Sequence, residues 1–150
     1  MEKVILLADD DVDDTEMFCE ALDGFDQSIK YYCSVNGSEM MDKLYSLEQI
    51  PELIFLDLNM PLLNGLDCLK ILKEQEKYRQ IPVIMISTSS HKNDMDAAAA
   101  LGALCYFVKP SNFRDFKNIL HLITSNLGDN LKEVIINLHA GGSKHIFYLD

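Results

Sequence analysis

Five polar residues of this chain stand directly behind short apolar runs. Asp9 and Asp10 follow Val4–Ala8, Asp57 follows Leu53–Leu56, Ser87 follows Val83–Ile86, and Lys109 follows Cys105–Val108. Brought to one rim, three carboxylates repel each other, and a hard divalent cation such as Mg2+ (or Mn2+) neutralises them through oxygen ligands. A carboxylate is also a nucleophile toward phosphorus. It gives an aspartyl phosphate, while a metal and an ammonium group neutralise charge on the transferring oxygens. The Ser87 hydroxyl supplies a hydrogen-bond donor for one of them. Taken singly, Asp57 reads as the end of a strand and Lys109 as its ion-pair partner; the five together read as a phosphoryl site. The acids permit one competing reading, a calcium loop, because Asp9, Asp11, Asp13 and Glu20 fall at positions one, three, five and twelve. Two features oppose it: the sixth position is Asp14 instead of Gly, and the segment follows a strand-like run instead of a helix.

These positions carry meaning only if the runs are strands ending at the same edge. Four of them are almost unbroken by polar residues, which suits strands buried on both faces. A fifth, Ile29–Val35 with Tyr31, Tyr32 and Val35, is more mixed, as an outer strand is. The segments between them look helical. Asp13–Leu22 places Met17, Phe18, Ala21 and Leu22 on one side and crowds Asp13, Asp14 and Glu16 into the first turn, where the helix dipole favours negative charge. Ser38–Leu47 and Gly65–Glu76 follow, and Asn93–Leu101 carries four consecutive alanines before Gly102 offers a stop. Asn112 caps a run with Phe113, Phe116, Leu120, Ile123 and Leu127 at helical spacing. Five strands alternating with five helices predict a doubly wound α/β fold: a parallel sheet, helices on both faces and right-handed crossovers. In such sheets, sites form at the carboxyl ends of the strands.

The stretches Ile5-Leu6-Leu7-Ala8-Asp9-Asp10-Asp11, Phe55-Leu56-Asp57-Leu58-Asn59-Met60-Pro61, Asn64-Gly65, Ile84-Met85-Ile86-Ser87 and Tyr106-Phe107-Val108-Lys109-Pro110 occur in an order that resembles the receiver domain of bacterial response regulators, including the single-domain chemotaxis type. The resemblance covers residues 4 to 125. It implies a flavodoxin-like five-stranded parallel sheet of order 2-1-3-4-5. By the same resemblance Asp57 is the phosphoacceptor, and Asp9, Asp10, Asp57 and the backbone carbonyl of Asn59 are the metal ligands. Ser87 and Lys109 are the phosphate-sensing hydroxyl and lysine, Tyr106 is the aromatic that turns inward with the hydroxyl, and Lys109-Pro110 is a candidate cis bond. The phosphoryl donor it implies is a sensor histidine kinase or a histidine phosphotransfer protein, with output by protein–protein interaction or phosphorelay. No enzymatic activity is expected beyond self-phosphorylation from phosphodonors and slow autodephosphorylation. Two departures stand out. Thr88 occupies a place where many relatives have Ala or Gly, and Ser111-Asn112-Phe113 replaces the usual Phe after Lys109-Pro110.

Composition sets limits on the alternatives. With 24 acids against 13 bases and a net charge of -11, the chain has no basic run to track a phosphate backbone, so no direct DNA binding is expected. The five apolar residues after Met1-Glu2-Lys3 are too few for a signal peptide or membrane span, which makes a cytoplasmic protein the expectation. The four cysteines show no C-x-x-C pair and read as reduced core thiols. His139 and His145 flank a Gly-Gly turn and make only a weak metal signal. A phosphatase of the haloacid dehalogenase type would need a second Asp where this chain has Asn59, leaving no general acid. A phosphorylation-independent interaction module is the other alternative. Residues 1–127 are expected to form the receiver domain, with 128–150 as a C-terminal extension too short for an effector domain. Val134-Ile135-Ile136 and Ile146-Phe147-Tyr148-Leu149 predict that this extension is ordered. It is expected to pair as a hairpin, to join a sheet edge, or to pack across a homodimer.

Overall fold

The computed structural model of the chain describes residues 2–149. Its strands are β1 (Lys3–Ala8), β2 (Ile29–Ser34), β3 (Leu53–Asp57), β4 (Val83–Ser87), β5 (Cys105–Val108) and β6 (Ile146–Tyr148), and its helices are α1 (Val12–Leu22), α2 (Gly37–Ser46), α3 (Gly65–Glu74), α4 (Lys92–Ala100), α5 (Phe113–Thr124) and α6 (Leu131–Ala140). The sheet order is β2-β1-β3-β4-β5-β6. β1 to β5 are parallel in the expected flavodoxin-like order, and β6 joins β5 antiparallel.

The apolar runs do what burial on both faces requires. Alternate residues of each strand enter opposite cores: Val4, Leu6, Ile54, Leu56, Val83, Met85 and Tyr106 face α2, α3 and α4. Ile5, Leu7, Leu53, Phe55, Ile84, Ile86 and Phe107 face α1, α5 and α6. Since β2 lies at an edge, its Tyr31, Tyr32 and Cys33 are only partly buried, which accounts for its mixed composition. Met40 and Met41 are core residues on α2.

Helix starts are written locally. Asn36, Asn64 and Asn112 each cap a helix by accepting a hydrogen bond from the backbone N–H three residues on, of Glu39, Asp67 and Asp115. Asp11 caps α1 by accepting from the N–H groups of Asp13 and Asp14. These caps fix where each helix leaves the carboxyl edge of the sheet. The edge is where the candidate residues stand.

The structure corrects three expectations. Val134-Ile135-Ile136 lies inside α6, not in a strand, because Leu131, Ile135 and Leu138 recur at helical spacing and bury one stripe. Lys109-Pro110 is trans, as no cis peptide occurs among the described residues; the trans form is the favoured isomer by about 0.5–1 kcal/mol. Finally, Cys68 and Cys105 are buried, but Cys19 and Cys33 are only partly so, on α1 and β2, as free thiols whose sulfurs share a hydrogen bond at 3.5 Å, too far apart for a disulfide.

The C-terminal segment closes the β5 edge. Ile146 is fully buried opposite Phe107, and the Val108 N–H donates to the His145 carbonyl at 2.7 Å. Both histidines serve this segment. The Tyr148 N–H donates to His139 Nδ1 at 2.9 Å, and His145 Nδ1 lies 3.1 Å from the Val108 carbonyl oxygen.

Candidate functional site

Asp57 ends β3, and Asp9 and Asp10 follow β1, its neighbour in the sheet. Parallel pairing in register brings them together: one carboxylate oxygen from each lies within 4.8 Å of the others. Asp9 is 1% exposed and Asp57 7% exposed, whereas Asp10 is open to solvent. Asn59 stands two residues past Asp57, exposed between the buried Leu58 and Met60, and its carbonyl accepts no hydrogen bond among the described residues. Gly65 allows α3 to start against this strand end. A Cβ there would collide with the Asp57 carbonyl oxygen and would sit 2.8 Å from the Met85 Cε.

From β5, Lys109 reaches under the acids with a side chain only 9% exposed, and its ammonium lies 2.9 Å from Asp9 Oδ2 and 4.0 Å from Asp57 Oδ1. Its shortest contact is one that the sequence did not announce: Asp14 Oδ2 at 2.6 Å. Asp14 reads locally as one more first-turn acid. Only the α1–β5 arrangement across 95 residues of chain makes it the partner of Lys109.

Electrostatics follow from this crowding. Burial pushes the Asp57 carboxyl up to about 8; Lys109 opposes the rise, and Asp9 and Asp10 add to it. Burial by itself would lower Lys109, but its hydrogen bonds to Asp14 and Asp9 hold it above the ordinary lysine value. A donor set of hard oxygens, in excess over the one ammonium beside them, fits a divalent cation that prefers oxygen.

Ser87 is 3% exposed at the end of β4, and its hydroxyl accepts from the Ser89 N–H at 3.1 Å. Tyr106 is turned fully inward from β5, and its hydroxyl donates to the Ser89 carbonyl at 2.9 Å. Burial raises its pKa. Thr88, between the two serines, is exposed, and Phe113 is partly buried as the first residue of α5. The rim therefore gathers Asp9, Asp10, Asp57, Ser87 and Lys109, with Tyr106 behind the loop that carries the hydroxyl.

A doubly wound sheet with an acidic, lysine-backed pocket at its carboxyl edge defines the class: a flavodoxin-like single-sheet domain of the receiver type. Residues 5–121 match the response regulator receiver domain, and the chain belongs to that family. Response regulator Rcp1 of Synechocystis sp. is 30% identical over 128 residues, 82% of this chain and 87% of its own length. The crystal structure of Mn(2+)-bound Rcp1 is similar with a TM-score of 0.73, covering 82% of this chain and 92% of that one at 30% identity. The phosphorylated cyanobacterial phytochrome response regulator RcpA gives a TM-score of 0.75 at 29% identity, over 81% and 90% of the two chains. The bacteriophytochrome response regulator RtBRR is 28% identical with a TM-score of 0.68, covering 94% of this chain and 93% of its own. No helix among the described residues is long and apolar enough to cross a membrane.

Proposed function

We propose that this receiver domain accepts a phosphoryl group on Asp57 from a phosphohistidine of a sensor histidine kinase or a histidine phosphotransfer protein. The observation that carries the reading is the convergence of three carboxylates within 4.8 Å, with the Lys109 ammonium 4.0 Å from Asp57. An Asp57 carboxylate oxygen forms the new P–O bond as the donor's P–N bond breaks, and the imidazole nitrogen keeps the electron pair of that bond. Asp9, Asp10, Asp57 and the Asn59 carbonyl would hold Mg2+ or Mn2+. A bound cation supplies neutralisation of charge on the transferring oxygens. The Lys109 ammonium would do the same, and Ser87 would donate a hydrogen bond to one of those oxygens once its hydroxyl turns from the Ser89 N–H.

In this reading the chain works in the cytoplasm and its only chemistry is its own phosphorylation and slow dephosphorylation. Residues 1–127 form the receiver unit and 128–150 an extension of it. Output passes to a partner protein or onward along a phosphorelay, with Ser87 and Tyr106 as the switch pair. Incubation with Mg2+ and acetyl phosphate tests it. One acid-stable, base-labile phosphoryl group per chain is expected, and Asp57→Asn abolishes it; undiminished labelling of that variant rejects Asp57 as the acceptor.

A further inference from the structure

The geometry of Asp9 contains a conflict. In the reading above Asp9 gives an oxygen to a cation, yet its Oδ2 accepts from Lys109 at 2.9 Å and its Oδ1 from the Asp11 N–H at 3.0 Å. Lys109 is not free to leave. Its side chain is 9% exposed, and a buried ammonium without a counter-charge is strongly disfavoured.

Asp14 resolves the conflict. It stands on the first turn of α1, outside the three-carboxylate cluster, with its Oδ2 2.6 Å from the ammonium and a side chain 27% exposed. The turn is fixed by the Asp11 cap below it and by the buried Phe18 and Leu22 beyond, so the carboxylate is held at that place. Asp13, its neighbour, is exposed and forms no ion pair with Lys109 among the described residues.

We propose that Asp14 is a positioning residue: it keeps the Lys109 ammonium beside Asp57 when Asp9 turns to a divalent cation. The inference rests on the metal-assisted phosphoacceptor reading. With Asp9 withdrawn, the ammonium retains one strong partner and has two N–H groups free, facing the Asp57 oxygen 4.0 Å away. Without Asp14, Asp9 is the one close partner left to Lys109, and ammonium and cation compete for it.

Calorimetric titration of the full chain with Mn2+ tests this, in the wild type, Asp14→Asn, Asp14→Glu, Lys109→Met and the Asn/Met double variant. Asp14→Asn is expected to weaken Mn2+ binding about threefold to fivefold, the scale of one close ion pair. Asp14→Glu restores part of the loss. In the Lys109→Met background, where no ammonium competes for Asp9, the Asp14→Asn effect shrinks to less than about twofold, the signature of coupling between contacting residues. Equal losses in both backgrounds would show Asp14 acting as bulk negative charge and overturn the proposal, as would unchanged affinity in Asp14→Asn. A wild type that binds no Mn2+ overturns the metal-assisted reading along with it, which separates the two failures.

Discussion

The Tyr106 hydroxyl donates to the Ser89 carbonyl at 2.9 Å, from a ring with no exposed surface. Because the Ser89 N–H also bonds the Ser87 hydroxyl oxygen, one residue of the β4–α4 loop is tied to both β4 and β5. In the proposed function, a Ser87 hydroxyl drawn toward a phosphoryl group on Asp57 would loosen one tie, and the other would carry the change to Tyr106. Two arrangements of this small network would be a bistable element of the kind that signalling requires.

Removing the hydroxyl alone should expose that coupling. Tyr106→Phe leaves the Ser89 carbonyl without its partner while keeping the ring, at a cost of about 1–2 kcal/mol in stability. Amide exchange is expected to speed up across Thr88–His91. A phosphoryl mimic bound to the wild type should alter exchange in Asn93–Leu101 and Cys105–Leu127, and more weakly in the variant. Identical exchange with and without the mimic in the wild type would remove the coupling from consideration.

Asp57 also predicts a pH dependence of stability. Its folded pKa of about 8 lies above the ordinary carboxylate value of 3.8, so folding favours the protonated form. The sign follows: this contribution is fully present below about pH 4 and is lost as pH rises through about 8. In the presence of a chelator the wild type should lose stability between these limits, and Asp57→Asn should show a flatter slope and unfold higher at pH 8. Each kcal/mol is worth about 2–4 °C in a chain of this size. Melting curves of the two proteins with the same slope would contradict a buried, crowded acid.

Gly65→Ala tests how α3 fits against the site. The added Cβ collides with the Asp57 carbonyl oxygen and crowds the Met85 Cε, and backbone cannot yield as a flexible side chain does. Overpacking of this kind costs about 1–3 kcal/mol. The displaced Asp57 should also bind Mn2+ less tightly. A variant equal to the wild type in urea midpoint and metal affinity would show that β3 tolerates the shift.

Truncation after Leu127 removes α6 and β6, and with them Leu131, Ile135 and Ile146, each 1% exposed or less. At about 1.5–3 kcal/mol for each fully buried side chain, the loss should exceed about 3 kcal/mol in urea unfolding, or a newly bared β5 edge should raise the oligomeric mass. A truncated chain matching the full one in both measurements would make the segment dispensable.

The sequence by itself determined the sheet and its site edge. Apolar runs without polar breaks can be satisfied only by strands covered on both faces, and the residues that end those runs must then meet at one rim. Asn36, Asn64 and Asn112 likewise mark helix starts from within a single turn of chain. What the tertiary structure decided lies beyond that range. Asp14 is indistinguishable in sequence from Asp13 until α1 packs beside β5 and places one of the two carboxylates 2.6 Å from Lys109. Ile135 belongs to a short apolar triplet that suits a strand as well as a helix, and packing against the α5 face settled it as a helix. The pKa of Asp57 depends on burial, on the charges of Lys109 and Asp9, and on hydrogen bonding with Asp9 and Asp10. Local rules act over one helical turn or one strand pair, whereas ion pairs and desolvation are set by distances between segments that only the folded chain brings together.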